Sequence, residues 1–222
     1  MRELFSLFRL AAENRRHRKK VDRLERETLG KYSWYRSLKR AYSRVYRWRS
    51  AFTVSRLGRG KAGVPRDDLI YGETPALTAY ELLSMVGVDQ ADHVVELGGG
   101  SSMFSLVAVS AFGCRATVLE ILPGFVAKTR EIVSVLGLER LKVRLQNILE
   151  GRLPEGTLYY LTGTTFSDES WKVLQRQMAV APVGAKAISL SVPLDSKAWK
   201  VESEHMLAFS WGENSVYLQT RI

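Results

Sequence analysis

From residue 67 onward, short apolar runs alternate with stretches that have the periodicity of an amphipathic helix. Strands are predicted for the apolar runs at residues 93–97, 116–119, 142–146, 158–161, 185–192, 206–210 and 215–220. Helices are predicted over 103–112, 123–136 and 169–179, with a turn over 212–214. This alternation is typical of an α/β protein in which helices cover both faces of a mostly parallel sheet. We therefore expect a doubly wound, mostly parallel seven-stranded sheet that ends in an antiparallel pair.

The charge of the chain changes at about residue 66. Residues 1–66 carry 20 Lys and Arg against 5 Asp and Glu, whereas residues 67–222 carry 13 against 18. We therefore predict two units, a basic amphipathic helical extension (residues 1–66, "the extension") and a folded domain (residues 67–222, "the body"). A strongly basic segment indicates an anionic partner, which is a membrane surface, a nucleic acid or an acidic protein surface.

The extension contains two helical patterns. Residues 1–20 have the pattern of an amphipathic helix, and residues 31–50 interleave basic and aromatic side chains. The second pattern has an apolar stripe at helical spacing, made of Tyr35, Leu38, Tyr42 and Val45. Three interpretations of this stripe stay open: packing on the body, docking on a membrane surface, and binding of nucleic acid. Glycines at positions 58, 60 and 63, ahead of Pro65, predict a flexible join.

Composition excludes several classes of protein. Cys114 is the single cysteine, so the sequence has no internal disulfide and no multi-cysteine metal site, and we expect no metal. The longest mostly apolar stretch, residues 102–114, is shorter than the roughly 20 residues of a membrane-spanning helix. We expect a cytoplasmic protein, peripheral at a membrane if the extension docks there, or a mitochondrial protein in a eukaryote.

The most specific chemical signal is the segment Glu96-Leu97-Gly98-Gly99-Gly100-Ser101-Ser102, where the first predicted strand turns into a helix. Glycines at such a turn let the backbone approach a ligand at the helix N-terminus. Three glycines also occur in plain tight turns. Glu120, however, ends the next strand, 24 residues after Glu96, where nucleotide-binding sheets place an acid against the ribose hydroxyls. The pair favours a nucleotide-type ligand.

The same segment argues against a dinucleotide. Met103 stands where the dinucleotide fingerprint has its third glycine, and the Glu96 carboxylate would repel a pyrophosphate. A ligand with a ribose, no phosphate and a cationic amino group fits better, because Glu96 can pair with the ammonium while Glu120 binds the ribose. S-adenosyl-L-methionine has these parts, and we predict it as the cofactor.

These residues give residues 71–222 a resemblance to class I, seven-stranded S-adenosylmethionine-dependent methyltransferases, which have a Rossmann-like fold. The chain resembles more narrowly the non-SET protein-lysine methyltransferases of the disruptor-of-telomeric-silencing type and their small prokaryotic and mitochondrial relatives. The resemblance implies contacts with the methionine part, the ribose and the adenine of the cofactor. The implied cofactor residues are Tyr71, Thr74, Glu96, Gly98, Gly100, Ser101, Glu120, Ile121, Asn147, Ile148 and Thr162.

The resemblance also implies where the acceptor binds. A tyrosine of the closing hairpin lines the lysine channel in this family, and Tyr217 occupies that hairpin. Thr162 stands in the turn where those enzymes often have an asparagine, and its hydroxyl would lie near the methyl group. We predict Tyr71, Thr162 and Tyr217 as the catalytic residues that shape the channel.

The predicted function is methylation of nitrogen, most of all in a protein lysine, with a protein or a small amine as acceptor. Two alternatives stay open. One is a lipid or small-amine methyltransferase, or an aminocarboxypropyl transferase, docked on a membrane by its N-terminal helix. The other is a non-catalytic cofactor-binding module with a basic interaction arm.

Overall fold

Seven strands form one sheet at the centre of the body. The computed structural model describes residues 2–61, 63–65 and 67–222, and the side chains of residues 2–12 and 61 lie outside this description. The strands are β1 (His93–Leu97), β2 (Arg115–Glu120), β3 (Leu141–Leu145), β4 (Leu158–Leu161), β5 (Lys186–Leu190), β6 (Trp199–Phe209) and β7 (Gly212–Arg221). Their order is β3-β2-β1-β4-β5-β7-β6, and β7 alone runs antiparallel to its neighbours. The predicted mostly parallel seven-stranded sheet is confirmed.

Helices cover both faces of this sheet. They are α1 (Arg2–Leu29), α2 (Ser33–Val45), α3 (Ala51–Gly58), α4 (Ala76–Met85), α5 (Met103–Phe112), α6 (Pro123–Leu136) and α7 (Asp168–Met178). One apolar core contains Phe104 of α5 and Ile132 of α6. The core on the other face contains Leu174 and Met178 of α7 together with Trp199. The doubly wound α/β architecture therefore matches the expectation from the alternating pattern.

The extension packs on the first of these cores. Helix α2 buries Tyr35, Leu38, Ala41 and Val45, which belong to the same apolar cluster as α4, α5 and α6. This corresponds to the packing interpretation of the aromatic stripe. Trp48, which follows α2, is 83% exposed and takes no part in this core.

A buried carboxylate adds a polar connection between the extension and the body. Glu25 of α1 is 2% exposed, and its Oε1 accepts a hydrogen bond from the Tyr35 hydroxyl (3.0 Å) and pairs with Lys39 Nζ (2.9 Å). Its Oε2 accepts from the backbone N–H of Leu77 (3.3 Å) in the first turn of α4. A carboxylate is favourable at a helix N-terminus, because it binds unpaired N–H groups there. Helices α1, α2 and α4 are thereby linked at one point.

Two predictions for the extension need correction. Helix α1 continues to Leu29, beyond the predicted end at residue 20, and the predicted apolar face of residues 4–11 lies outside the described side chains. The flexible join predicted over residues 58–63 starts too early, because α3 runs through Gly58 and a 3-10 turn continues over Arg59–Lys61. Ser50 caps the N-terminus of α3 by accepting from the Thr53 N–H, and Gly58 is the last residue of this helix.

The final hairpin also differs from the prediction. Phe209 pairs with Gly212, so the turn consists of Ser210 and Trp211, and the predicted turn at 212–214 is wrong. Strand β6 begins at Trp199, seven residues before its predicted start. Trp199 is buried, but the three residues after it are exposed at the sheet edge, so the start of β6 lacks the apolar run of a buried strand.

The described residues contain neither a membrane-spanning helix nor a cluster of metal ligands. None of the helices combines the length and the hydrophobicity that crossing a bilayer requires. Within the same residues, no three or more His, Cys, Asp and Glu side chains cluster as metal ligands would.

Candidate functional site

A cleft lies just beyond the carboxyl ends of β1 to β4, where ligands of open α/β sheets bind. Its free space, counted with its open mouth, is about 1020 Å³. The predicted residues that line it are Tyr71, Thr74, Glu96, Gly98, Gly100, Ser101, Glu120, Ile121, Asn147, Ile148 and Thr162. The structure thus brings together residues that are up to 91 positions apart in the sequence.

The glycine loop after β1 approaches its surroundings too closely for side chains. Gly98 and Gly100 have φ angles of +74° and +52°, which glycine adopts without strain. A Cβ at Gly99 would lie 2.4 Å from Val118 Cγ1, and one at Gly100 would lie 2.7 Å from the Tyr71 ring. The loop therefore needs glycine for its conformation and for its packing, which leaves its backbone exposed to the cleft.

Glu120 holds this loop in place. Its Oε2 accepts from the Gly100 N–H (2.6 Å), and its Oε1 accepts from the Leu122 N–H (2.7 Å). Burial raises the pKa of the carboxyl, while these N–H groups act in the opposite direction. A carboxylate has about four acceptor positions, so Glu120 retains capacity for the hydroxyls of a ribose.

Glu96 is a buried acid without a basic partner. Its Oε2 accepts from the Ser105 N–H (3.1 Å) near the start of α5. Burial raises the pKa of Glu96 to about 8, and the nearby Glu120 acts in the same direction. No Lys, Arg or His is among the described residues that line the cleft. A ligand cation would therefore stabilise the ionised form of Glu96.

Residues 67–75, "the strap", cross the cleft and are fastened at both ends. Asp68 accepts from the Ser167 N–H (2.7 Å) and the Ser170 hydroxyl (2.5 Å) at the N-terminus of α7. The Glu73 N–H donates to Ser210 Oγ (2.8 Å) in the hairpin, and Tyr42 of α2 donates its hydroxyl to Glu73 Oε1. These contacts bind the strap to α7 and the final hairpin of the body, and to α2 of the extension.

Tyr71 lies in the middle of the strap. Its ring packs against Phe52 of α3 and Phe125 of α6, with centroid distances of 5.1 and 4.9 Å. Its hydroxyl is buried and has no hydrogen-bond partner among the described residues. Burial, together with nearby Glu73, raises the pKa of Tyr71 well above its usual value. The phenol is neutral at pH 7 and can donate to a ligand.

Two predicted residues already use their polar side-chain groups. Thr74 Oγ1 is hydrogen-bonded to the Tyr160 hydroxyl (2.6 Å). Asn147 Oδ1 accepts from the Leu149 N–H (3.0 Å), while its Nδ2 donates to Glu150 (2.9 Å). The amide of Asn147 therefore stabilises its own loop, and adenine recognition by this side chain stays a prediction.

The two predicted acceptor residues on the strands are far apart in the sheet. Thr162 follows β4 and lines the cleft. Tyr217 does not line the cleft, because it lies in β7 opposite Ser189, and β5 separates β7 from β4. The structure does not place Tyr217 in the predicted channel at this cleft.

Several lining residues were not predicted. Ser55 and Val64 come from the extension, Asp68 fastens the strap, and Tyr160 lies under Thr74. The aspartate pair at the start of the strap, Asp67-Asp68, was the available signal for Asp68. Ser55 gave no signal, because only the packing of α3 brings it to the cleft.

The residues present fit S-adenosyl-L-methionine. The cleft offers a glycine cradle that a Cβ would fill, an acid for a ribose, and a buried acid that needs a cation. Basic side chains that a pyrophosphate would require are absent among its described lining residues. This charge pattern agrees with the argument against a dinucleotide.

The sequence matches no protein-family model and no curated protein. Solved structures do align. An RNA methyltransferase from Salinibacter ruber, solved with S-adenosyl-L-homocysteine, aligns with a TM-score of 0.57 at 21% identity over 67% of this chain and 92% of its own. TrmN from Thermus thermophilus aligns with a TM-score of 0.59 at 14% identity over 74% of this chain and 52% of its own, so this chain spans about half of TrmN.

A geranyl diphosphate methyltransferase, solved with GPP and sinefungin, aligns with a TM-score of 0.55 at 13% identity over 67% of this chain and 79% of its own. The named acceptors of these proteins differ, so the likeness concerns the fold. The narrower likeness to disruptor-of-telomeric-silencing enzymes stays a prediction. The chain has the seven-stranded fold of class I S-adenosylmethionine-dependent methyltransferases.

Proposed function

We propose that the chain is an S-adenosyl-L-methionine-dependent methyltransferase. The observation that carries this proposal is the pair of buried carboxylates, Glu96 and Glu120, at a glycine loop in a cleft whose described lining has no basic side chain. When bound, the cofactor supplies a methyl group that its sulfonium sulfur already activates. The protein has to hold the cofactor, align an acceptor and exclude water.

The named residues divide these tasks. Glu96 binds the ammonium group, and Glu120 binds the ribose while it holds the Gly100 N–H. The Tyr71 ring covers the glycine loop and keeps water from it. Thr162, at the end of β4, orients the acceptor nitrogen with its hydroxyl. The proton of that nitrogen leaves to water, since we assign no base in the cleft.

We propose a protein lysine as the acceptor, on the resemblance of the strap to the lysine enzymes. A lysine attacks only when neutral, and its usual pKa is about 10.4. A buried, water-poor channel lowers that pKa. A nucleic-acid base is the second candidate, since the exposed face of α2 is rich in arginine.

Calorimetric titration with S-adenosyl-L-homocysteine and with 5′-methylthioadenosine tests the cofactor site. The second compound keeps the adenosine and lacks the amino group. We expect Glu120→Ala to weaken both ligands, and Glu96→Gln to weaken only the first. If the folded chain binds neither compound, the cofactor proposal is wrong.

The same titration has a pH dependence with a defined sign. A ligand ammonium favours ionised Glu96, whose pKa is about 8 in the free chain. Binding of S-adenosyl-L-homocysteine therefore releases a proton below pH 8 and tightens as the pH rises towards 8, by up to about tenfold per unit. Methylthioadenosine, and the Glu96→Gln variant with either ligand, should show no such slope.

Transfer of a radiolabelled methyl group in a cell extract then identifies the acceptor class. If protease removes the label, the acceptor is a protein and the lysine proposal is supported. If nuclease removes the label, the acceptor is a nucleic acid, and the second candidate replaces the lysine proposal. Label in an organic extract indicates a lipid or small amine. Cofactor binding without any transfer would favour the non-catalytic module.

A further inference from the structure

Helix α2 has two faces of opposite character. Its buried residues are Tyr35, Leu38, Ala41 and Val45, which pack into the core. Its exposed residues are serines and arginines only: Ser33, Arg36, Ser43, Arg40 and Arg44. The helix contains no acidic residue. All the charges on the exposed face are therefore positive, and the packing of the opposite face in the core fixes their position.

One of these arginines has a structural task. Arg36 Nη1 donates to the carbonyl oxygens of Gly30 and Lys31 (2.8 Å each), at the end of α1. Arg40, Arg44 and Arg47, "the arginine face", form no ion pair among the described residues. Like charges four residues apart destabilise a helix, so Arg40 and Arg44 weaken α2 when no anion is present.

An exposed tryptophan adjoins the arginine face. Trp48 is 83% exposed, and the Arg47 guanidinium lies 5.0 Å from its ring centroid. A solvent-exposed indole costs hydrophobic free energy that burial would recover. Aromatic rings next to cations are the combination that binds single-stranded nucleic acids, because bases stack on the ring while phosphates pair with arginine.

The spacing suits such a strand. Arg40 and Arg44 are one helical turn apart, about 6 Å along the axis. Each nucleotide of a stacked strand rises about 3.4 Å along the strand axis, so the two guanidinium groups can reach phosphates about two nucleotides apart. The exposed residues of α2 include no aliphatic side chain to enter a bilayer, which favours a nucleic acid over a membrane.

We propose that the arginine face and Trp48 form a docking surface for single-stranded nucleic acid. Arg40, Arg44 and Arg47 bind phosphates of one strand, and Trp48 stacks on a base beside them. The surface lies outside the cofactor cleft, so this inference does not depend on the proposed methyl transfer. It selects one of the three anionic partners expected for the extension.

Fluorescence anisotropy of a labelled, mixed-sequence single-stranded RNA, titrated with the full chain, tests the surface. Three phosphate contacts predict that the logarithm of affinity falls with the logarithm of salt with a slope of about −2. Arg40→Gln with Arg44→Gln should weaken binding at least ~tenfold at low salt and reduce the slope by about 1.4. Trp48→Ala should weaken binding at least ~fivefold, and Trp48→Phe should retain most of it.

A matched control comes from α7, where Lys172 and Arg176 are exposed at the same four-residue spacing. Lys172→Gln with Arg176→Gln should leave RNA binding unchanged. Equal losses in the two double variants would overturn the proposal, since general charge would then explain binding. It is also overturned if the wild type does not bind RNA, or if the arginine variant binds as the wild type does.

Cosedimentation with vesicles of phosphatidylcholine and phosphatidylserine tests whether the arginine face binds a membrane instead of a nucleic acid. We expect RNA to bind in their presence and the arginine variant to lose RNA. Vesicles that displace the RNA and bind through Arg40 and Arg44 would overturn the proposal in favour of a membrane surface. Circular dichroism of each variant checks that α2 stays folded.

Discussion

The extension and the body contribute to one site but differ in how their sequences relate to their structures. In the body, the apolar runs and the glycine loop directly predict strands and a ligand cradle. In the extension, the high positive charge gives no indication that one face of α2 is as buried as the helices of the body. The comparison teaches that mean charge describes the solvent side of a helix and says little about its other side.

The largest effect expected in the body concerns the glycine loop. Gly100→Ala adds a methyl group 2.7 Å from the Tyr71 ring, at a φ of +52°. Overpacking costs about 1–3 kcal/mol of folding free energy, and because the loop would relieve it by moving away from the geometry that holds the cofactor, the affinity for S-adenosyl-L-homocysteine should fall by about tenfold to hundredfold. Isothermal titration calorimetry measures this loss of affinity.

Gly137→Ala is the matched control for this change. Gly137 has a φ of +63°, and nothing lies within 4 Å of its Cβ position. The Gly137→Ala variant should lose stability through backbone strain alone, and its affinity for S-adenosyl-L-homocysteine should not change. Equal affinities of the two variants would show that the Tyr71 contact does not shape the cradle.

The next effect concerns the attachment of the extension. Glu25→Ala removes the acceptor for the Tyr35 hydroxyl, for Lys39 and for the Leu77 N–H. We expect a loss of about 2 kcal/mol in the free energy of unfolding, measured in urea, with one cooperative transition for the whole chain. Glu27→Ala, at an exposed position of α1, should change it by less than ~0.5 kcal/mol.

Two separate transitions in the Glu25→Ala variant would contradict this picture. They would mean that the extension unfolds alone and is an attached arm. The predicted boundary at residue 66 would then also be a boundary of stability.

The smallest effect links the extension to the site. Tyr42→Phe removes the hydroxyl that donates to Glu73 in the strap. The loss of one hydrogen bond, about 1 kcal/mol, should weaken S-adenosyl-L-homocysteine binding about fivefold. Tyr35→Phe also removes a hydroxyl from α2, but one that donates to Glu25 and not to the strap, and should lower stability without changing affinity.

Residue patterns predicted the parts of the site that local chemistry defines. Glu96, the glycines and Glu120 stand at strand ends, where the sheet requires ligands to bind, so position and residue type together identified them. The extension's part was not predictable in this way. Ser55 and Tyr42 reach the cleft or the strap through the packing of helices whose positions no spacing in the sequence encodes.

The same distinction explains the errors at the C-terminus. Apolar runs identify the inner strands, whereas β6 lies at the edge of the sheet and five of its eleven residues are polar. Tyr217 was assigned by resemblance, and its distance from the cleft follows from a strand order that places β5 between β4 and β7.

The two fastened ends of the strap have a consequence for turnover. A cofactor bound beneath Tyr71, as proposed, would lie under a strap that Asp68 and Glu73 hold in place, so we expect these contacts to slow its release. We therefore expect product release, rather than the chemical step, to limit the steady-state rate, with a burst in the first turnover. An acceptor could then arrive and depart several times during the residence of one cofactor molecule.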